Sequence, residues 1–145
     1  MERGGIHRLS IRHSPDSVSK LRRVTLGTRV PVQKTAVGLA YLAALPPEVL
    51  QSVLARIGVS ASSRGAQRRR ELESAVAQGK KRGYSIAAFM PGNEAVGRAF
   101  IGPDHQLYAM NISFEAREGS KTKDCKRFAQ VLKDLIDAIQ QAWGN

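Results

Sequence analysis

The sequence predicts an α+β domain in which an antiparallel sheet is flanked by helices. Three observations predict it. Runs of short strand-like segments are separated by runs of helical apolar spacing, rather than alternating one by one as in a parallel array. Ala95–Ile101 and Leu107–Phe114 are joined by the hairpin-type loop Gly102-Pro103-Asp104-His105-Gln106, so they should pair antiparallel. The last segment, Lys123–Trp143, repeats Cys125, Phe128, Leu132, Leu135, Ile136 and Ile139 mostly at spacings of three and four, an amphipathic helix.

The elements follow in order. Residues 1–17 form a polar N-terminal segment in which Leu9-Ser10-Ile11-Arg12 alternates like a short strand and His13–Ser17 reads as a turn. The domain proper is expected over residues 18–145, with Val18–Val24 as a second strand. Pro31 disfavours helix before it, and from Thr35 the spacing of Ala36, Val37, Leu39, Ala40, Leu42 and Ala43 becomes helical. Leu45-Pro46-Pro47-Glu48 breaks that helix and starts another. Pro47 suits a first helical position, Glu48 complements the dipole, and Gly58 is a C-terminal stop. Ser60–Gly65 is a loop, Ala66–Arg82 a third helix closed by Gly83, and Tyr84–Phe89 a strand before the turn Pro91-Gly92-Asn93.

Composition bounds the function. The 145 residues suffice for one domain with its own core, and an apolar fraction of 42% is that of a folded chain. No apolar run reaches the ~18 residues of a membrane span, so a cytoplasmic protein without membrane contact is expected. The single cysteine, Cys125, excludes an internal disulfide; it reads as a small buried hydrophobe, with a reactive thiol as the alternative. The formal charge of +11 points to a polyanionic partner, or simply to a solvated basic surface. Between Arg64 and Arg82 lie seven positive residues against Glu71 and Glu73, without interleaved aromatics or a second recognition helix.

Catalytic and metal patterns are not found. His7, His13 and His105 are scattered, and no nucleophile elbow, Walker loop or dinucleotide fingerprint occurs, so no enzyme, cofactor or metal is expected. Asp104-His105 falls at a hairpin tip and reads as a solvated turn. A binding site is better supported. Thr35, Ala36 and Gly38 stand at a helix start, where free backbone amides suit a carboxylate and small side chains let a ligand approach. Tight helix-on-sheet packing explains the same residues equally well. Ala95 and Gly97 alternate in phase on one strand, Asn111 and Ser113 on the next; the latter pair either bonds a ligand oxygen or faces solvent. Met90 is either an adaptable lid or ordinary core.

Three segments carry a family resemblance. Gly27-Thr28-Arg29-Val30-Pro31, running into Thr35-Ala36-Val37-Gly38-Leu39-Ala40-Tyr41-Leu42-Ala43-Ala44-Leu45, resembles the opening of the effector domain of IclR (isocitrate-lyase-regulator) proteins. Arg82-Gly83-Tyr84 is similar to that family's R-R-G-Y, and Pro91-Gly92-Asn93-Glu94-Ala95-Val96-Gly97, continuing to Asn111-Ile112-Ser113, to its P-G-x-x-A-[IV]-[AG] and later S-V-S strand. The order and separations also agree, over roughly residues 18 to 143.

The resemblance implies a curved antiparallel sheet of GAF/PAS-like type and a ligand-sensing regulator. It implies a small organic (carboxylic or aromatic) acid as effector, bound by Thr35, Ala36, Gly38, Met90, Ala95, Gly97, Asn111 and Ser113. It implies dimers or tetramers, and operator DNA reached only through an N-terminal winged helix-turn-helix domain, for which the residues ahead of the resemblance are too few. One departure stands out. Where the family usually carries an acidic pair, this chain has Ala87 and Ala88, which implies a more apolar pocket or lost sensing.

Overall fold

The computed structural model describes residues 31–56 and 63–144. A 3-10 turn, Val32–Lys34, leads into α1 (Ala36–Ala44), α2 (Pro47–Arg56) and α3 (Ser63–Arg82). Strands β1 (Ser85–Ala87), β2 (Asn93–Ile101) and β3 (Leu107–Glu115) follow, then α4 (Lys121–Trp143). The described strands form one antiparallel sheet in the order β1-β2-β3. This is the α+β arrangement the sequence predicts. The strands expected at Leu9–Arg12 and Val18–Val24, the boundary between residues 17 and 18, and the stop at Gly58 lie outside the described residues.

Strand alternation sorts side chains into two cores, one on each face of the sheet. On one face Val96 and Phe100 pack with Cys125, Ala129, Leu132 and Ile136 of α4, joined by Ile86, Met110, Ile112 and Phe114. Of the stripe read in the sequence, Cys125, Leu132 and Ile136 are buried here; Ala129 joins them, while Leu135 is exposed, as are Val131 and Trp143. On the other face Leu39, Leu42 and Leu45 gather with Leu54, Leu72 and Val76, against Ala87 and Leu107 of the sheet. Helices α1–α3 thus cover one face and α4 the other.

Element ends differ from expectation where hydrogen bonding decides them. β1 stops at Ala87, in the pair Ala87↔Ala95, while β2 runs on to Asn93 paired with β3 alone. Ala88 and Phe89 are needed to reach the turn, which closes with Asn93 N–H donating to Met90 O at 3.1 Å. Helix α4 starts at Lys121, two residues earlier than the predicted Lys123, and places Asp124 in the first turn, where a carboxylate complements the helix dipole. Asp124 is almost fully buried and is gripped by Arg117, whose Nη2 donates at 2.7 Å and Nε at 3.1 Å.

Arg98 ties the layers together. It lies within the mostly apolar β2 and donates to Ala129 O of α4 at 3.2 Å and to Gly83 O at 2.8 Å. Its guanidinium also lies 5.6 Å from the Tyr84 ring centroid, with Arg82 at 5.5 Å from the same ring. Its sequence signal is a charged residue between the apolar runs Ala95–Gly97 and Ala99–Ile101.

Candidate functional site

The site is built where α1 lands on the sheet. Thr35 caps the helix in an extended conformation (φ −113°, ψ 148°), and its hydroxyl accepts from the Gly38 amide at 3.2 Å. Threonine suits this role because its short side chain reaches back to the third helical amide. The cap takes the Gly38 amide and leaves those of Ala36 and Val37 to other partners. Gly38 itself packs on the backbone of Val32, where a Cβ would collide with the Val32 carbonyl.

The strand register sets out the opposite wall. Ser85, Gly97 and Asn111 form one cross-strand row, and Ala87, Ala95 and Ser113 the next, both on the α1 face. Gly97 lies directly against Ala36 and Val37; a Cβ there would run into the Ala36 carbonyl. Asn111 and Ser113 are exposed beyond it, with Asn111 Nδ2 donating to Ser113 Oγ at 3.3 Å.

The residues singled out in the sequence are therefore largely brought together. Thr35, Ala36 and Gly38 form the helix start, Gly97 touches it, and Ala95, Asn111 and Ser113 continue the same sheet face. Met90 stands apart, half-buried in the turn between β1 and β2. Both readings of the small residues have a place here. Gly38 and Gly97 serve close packing, while the polar pair Asn111–Ser113 lies open beside it. Ala87 shares a row with Ala95 and Ser113, so the residue standing where an acid is usual lies on this same face.

The chemistry available beside the helix start is hydrogen bonding by uncharged groups. Thr35, Asn111 and Ser113 are uncharged, and Ser113 can donate to an oxygen while Asn111 offers both amide and carbonyl; the charged group on this sheet face is the exposed Glu115, one row beyond Ser113 and paired with Asn93. Asp104, by contrast, is occupied as a turn residue. Its Oδ2 accepts from Tyr108 OH at 2.6 Å and its Oδ1 from the Gln106 amide at 3.1 Å. The Tyr108 bond holds its carboxyl below the usual range. Cys125 is buried, and burial pushes its thiol up, with the Glu94 carboxylate adding to the effect; it is a packing residue rather than a reactive one. Among the described residues no group of three or more His, Cys, Asp or Glu is placed to hold a metal ion, and no helix is long and apolar enough to cross a membrane.

The sequence matches the family model described as bacterial transcriptional regulator IclR, C-terminal, over residues 3–141. The chain belongs to this family. No curated protein matches it. Solved structures of IclR regulators share its fold. The IclR protein of Thermotoga maritima aligns with a TM-score of 0.71 at 24% identity, covering 89% of this chain and 53% of that one. An IclR family regulator of Brucella abortus gives 0.65 at 19%, covering 83% and 48%. An IclR homologue of Microbacterium hydrocarbonoxydans, complexed with 4-hydroxybenzoate, gives 0.63 at 18%, covering 88% and 51%. The chain thus spans about half the length of these regulators.

Proposed function

We propose that this IclR C-terminal domain is the ligand-sensing part of a transcriptional regulator and binds a small carboxylic or aromatic acid beside the start of α1. The observation that carries this reading is the shared face on which Ala36 rests on Gly97 while the paired Asn111 and, two residues on, Ser113 stand open. The acid would lie between the helix start (Thr35, Ala36, Gly38) and the strand face (Ala95, Gly97, Asn111, Ser113), with Met90 near the turn as an adaptable wall. Ala87 and Ala88 put no carboxylate where an acid is usual, which lessens the repulsion against a bound carboxylate and also removes a hydrogen-bond acceptor. The complex of the Microbacterium homologue with 4-hydroxybenzoate supports the ligand class.

Signalling requires the ligand to favour one arrangement of subunits over another. Self-association as a dimer or tetramer supplies those arrangements, and DNA is reached through a winged helix-turn-helix domain in the full regulator. A thermal-shift titration of the folded chain with 4-hydroxybenzoate and related acids tests the reading. Concentration-dependent stabilisation is expected; none with any acid would refute sensing of this class.

A second reading is favoured by one feature of α3. Its first turn contains no acid and holds Arg64, which makes no ion pair among the described residues, although positive charge in the first turn of a helix is unfavourable by roughly 0.3–1 kcal/mol. A polyanion would offset that cost. DNA binding that persists at moderate salt would support this reading, since purely electrostatic attraction fades steeply.

A further inference from the structure

The row Ser85–Gly97–Asn111 is divided by α1, which rests on Gly97 in its middle. Asn111 falls on one side of the helix, with the acid site proposed above. Ser85 falls on the other, where α1, α3 and the β1–β2 edge enclose an open cleft of about 180 Å³. Its walls carry the methyl groups of Ala40, Ala43, Ala44 and Ala99, with Lys80 also lining it. Gly79 makes room at the α3 wall: a Cβ there would stand 2.7 Å from Ser85 Oγ.

Ser85 is 1% exposed, and its Oγ has no hydrogen-bond partner. A hydroxyl buried without a partner is costly, so the Ser85 Oγ has a hydrogen bond to gain from a bound molecule. The charge of the cleft is one-sided. Lys80 lines it and no carboxylate does, while Arg98, also a lining residue, spends its guanidinium on the carbonyls of Ala129 and Gly83. That disfavours a cation and favours an anion. The space admits a compact molecule of roughly six to ten non-hydrogen atoms.

We propose that this cleft is a second small-molecule site, separate from the one at the start of α1, and that it takes a compact monocarboxylate. The apolar body packs on the alanine methyls, one polar atom meets the Ser85 hydroxyl once that side chain rotates from Gly79 toward the cleft, and the carboxylate is drawn by Lys80. Two sites on opposite flanks of one helix would both bear on its seating against Gly97.

The test is a titration of the full chain, labelled with 13C at alanine methyls, with isobutyrate and with the uncharged isobutyramide. The methyl signals of Ala40, Ala43, Ala44 and Ala99 report the cleft, whereas those of Ala36, Ala87 and Ala95 report the other site. Saturable shifts confined to the cleft methyls are expected with isobutyrate, weaker with isobutyramide. Ser85→Ala should weaken both roughly three- to ten-fold. Lys80→Gln should weaken isobutyrate alone, and Ala44→Leu, at an exposed position on the cleft wall, should abolish the shifts. Shifts only at Ala36, Ala87 and Ala95, no saturable shifts, or cleft shifts indifferent to Ser85→Ala and Ala44→Leu would overturn the proposal. Because the two sets of methyls are distinct, the outcome does not depend on whether the first site binds its acid.

Discussion

Gly97 on β2 and Ala36 on α1 lie backbone against side-chain-free backbone, with the Ala36 carbonyl where a Cβ of residue 97 would be. This contact sets how closely α1 approaches the sheet. Gly97→Ala therefore forces the helix or the strand to move, and overpacking of this kind costs about 1–3 kcal/mol. Chemical denaturation should show a lower midpoint at an unchanged slope. A variant as stable as the parent would mean that α1 is not seated on Gly97.

Thr35 holds the start of the same helix through its bond to the Gly38 amide. Thr35→Ala should lose about 0.5–2 kcal/mol of stability, while Thr35→Ser, which keeps the hydroxyl, should lose less. Equal losses in both variants would assign the effect to the methyl group rather than to the cap.

Asn111 and Ser113 are exposed, so replacing either with alanine should change stability by no more than about 0.5 kcal/mol. Binding of 4-hydroxybenzoate, if it occurs at the proposed site, should weaken roughly three- to ten-fold in each. The two side chains share a hydrogen bond, so the double variant should be non-additive. Isothermal titration calorimetry on all four forms measures this, and unchanged affinity in both single variants would remove them from the site.

Asp124 is nearly buried, and hydrogen bonding from Arg117 holds its carboxyl below the usual aspartate range. Its contribution to stability is fully present above the ordinary aspartate value of about 3.9 and is lost as pH falls through the lowered folded value. Asp124→Asn should therefore be less stable than the parent at neutral pH, with the gap closing in strong acid. Melting curves between neutral and strongly acidic pH test this; a gap that stays constant would show that the charge of Asp124 is not what the fold uses.

Much of this protein was legible in its sequence because the signals are local. The spacing in α4 marks Cys125, Leu132 and Ile136, and these are the residues buried against Val96 and Phe100. The turn residues between Ile101 and Leu107 fix the hairpin, and Pro47 opens α2. The family segments add the position of the helix start relative to the strands. What remained open was what the small residues do, since a glycine that admits a ligand and one that admits a helix are the same residue in a sequence.

Only the tertiary structure decided that Gly97 carries α1. The reason is that a collision between a Cβ and a carbonyl depends on the placement of two elements some sixty residues apart. The same holds for Ala87, whose place beside Ala95 and Ser113 follows from strand register, and for Ser85, whose unpaired hydroxyl packs against Gly79 of α3. By itself the sequence determined the family, the fold class and the helical and strand faces, because periodicity and short-range turn chemistry are written residue by residue. Which groups meet across those faces was set by packing, which couples residues that the chain keeps far apart.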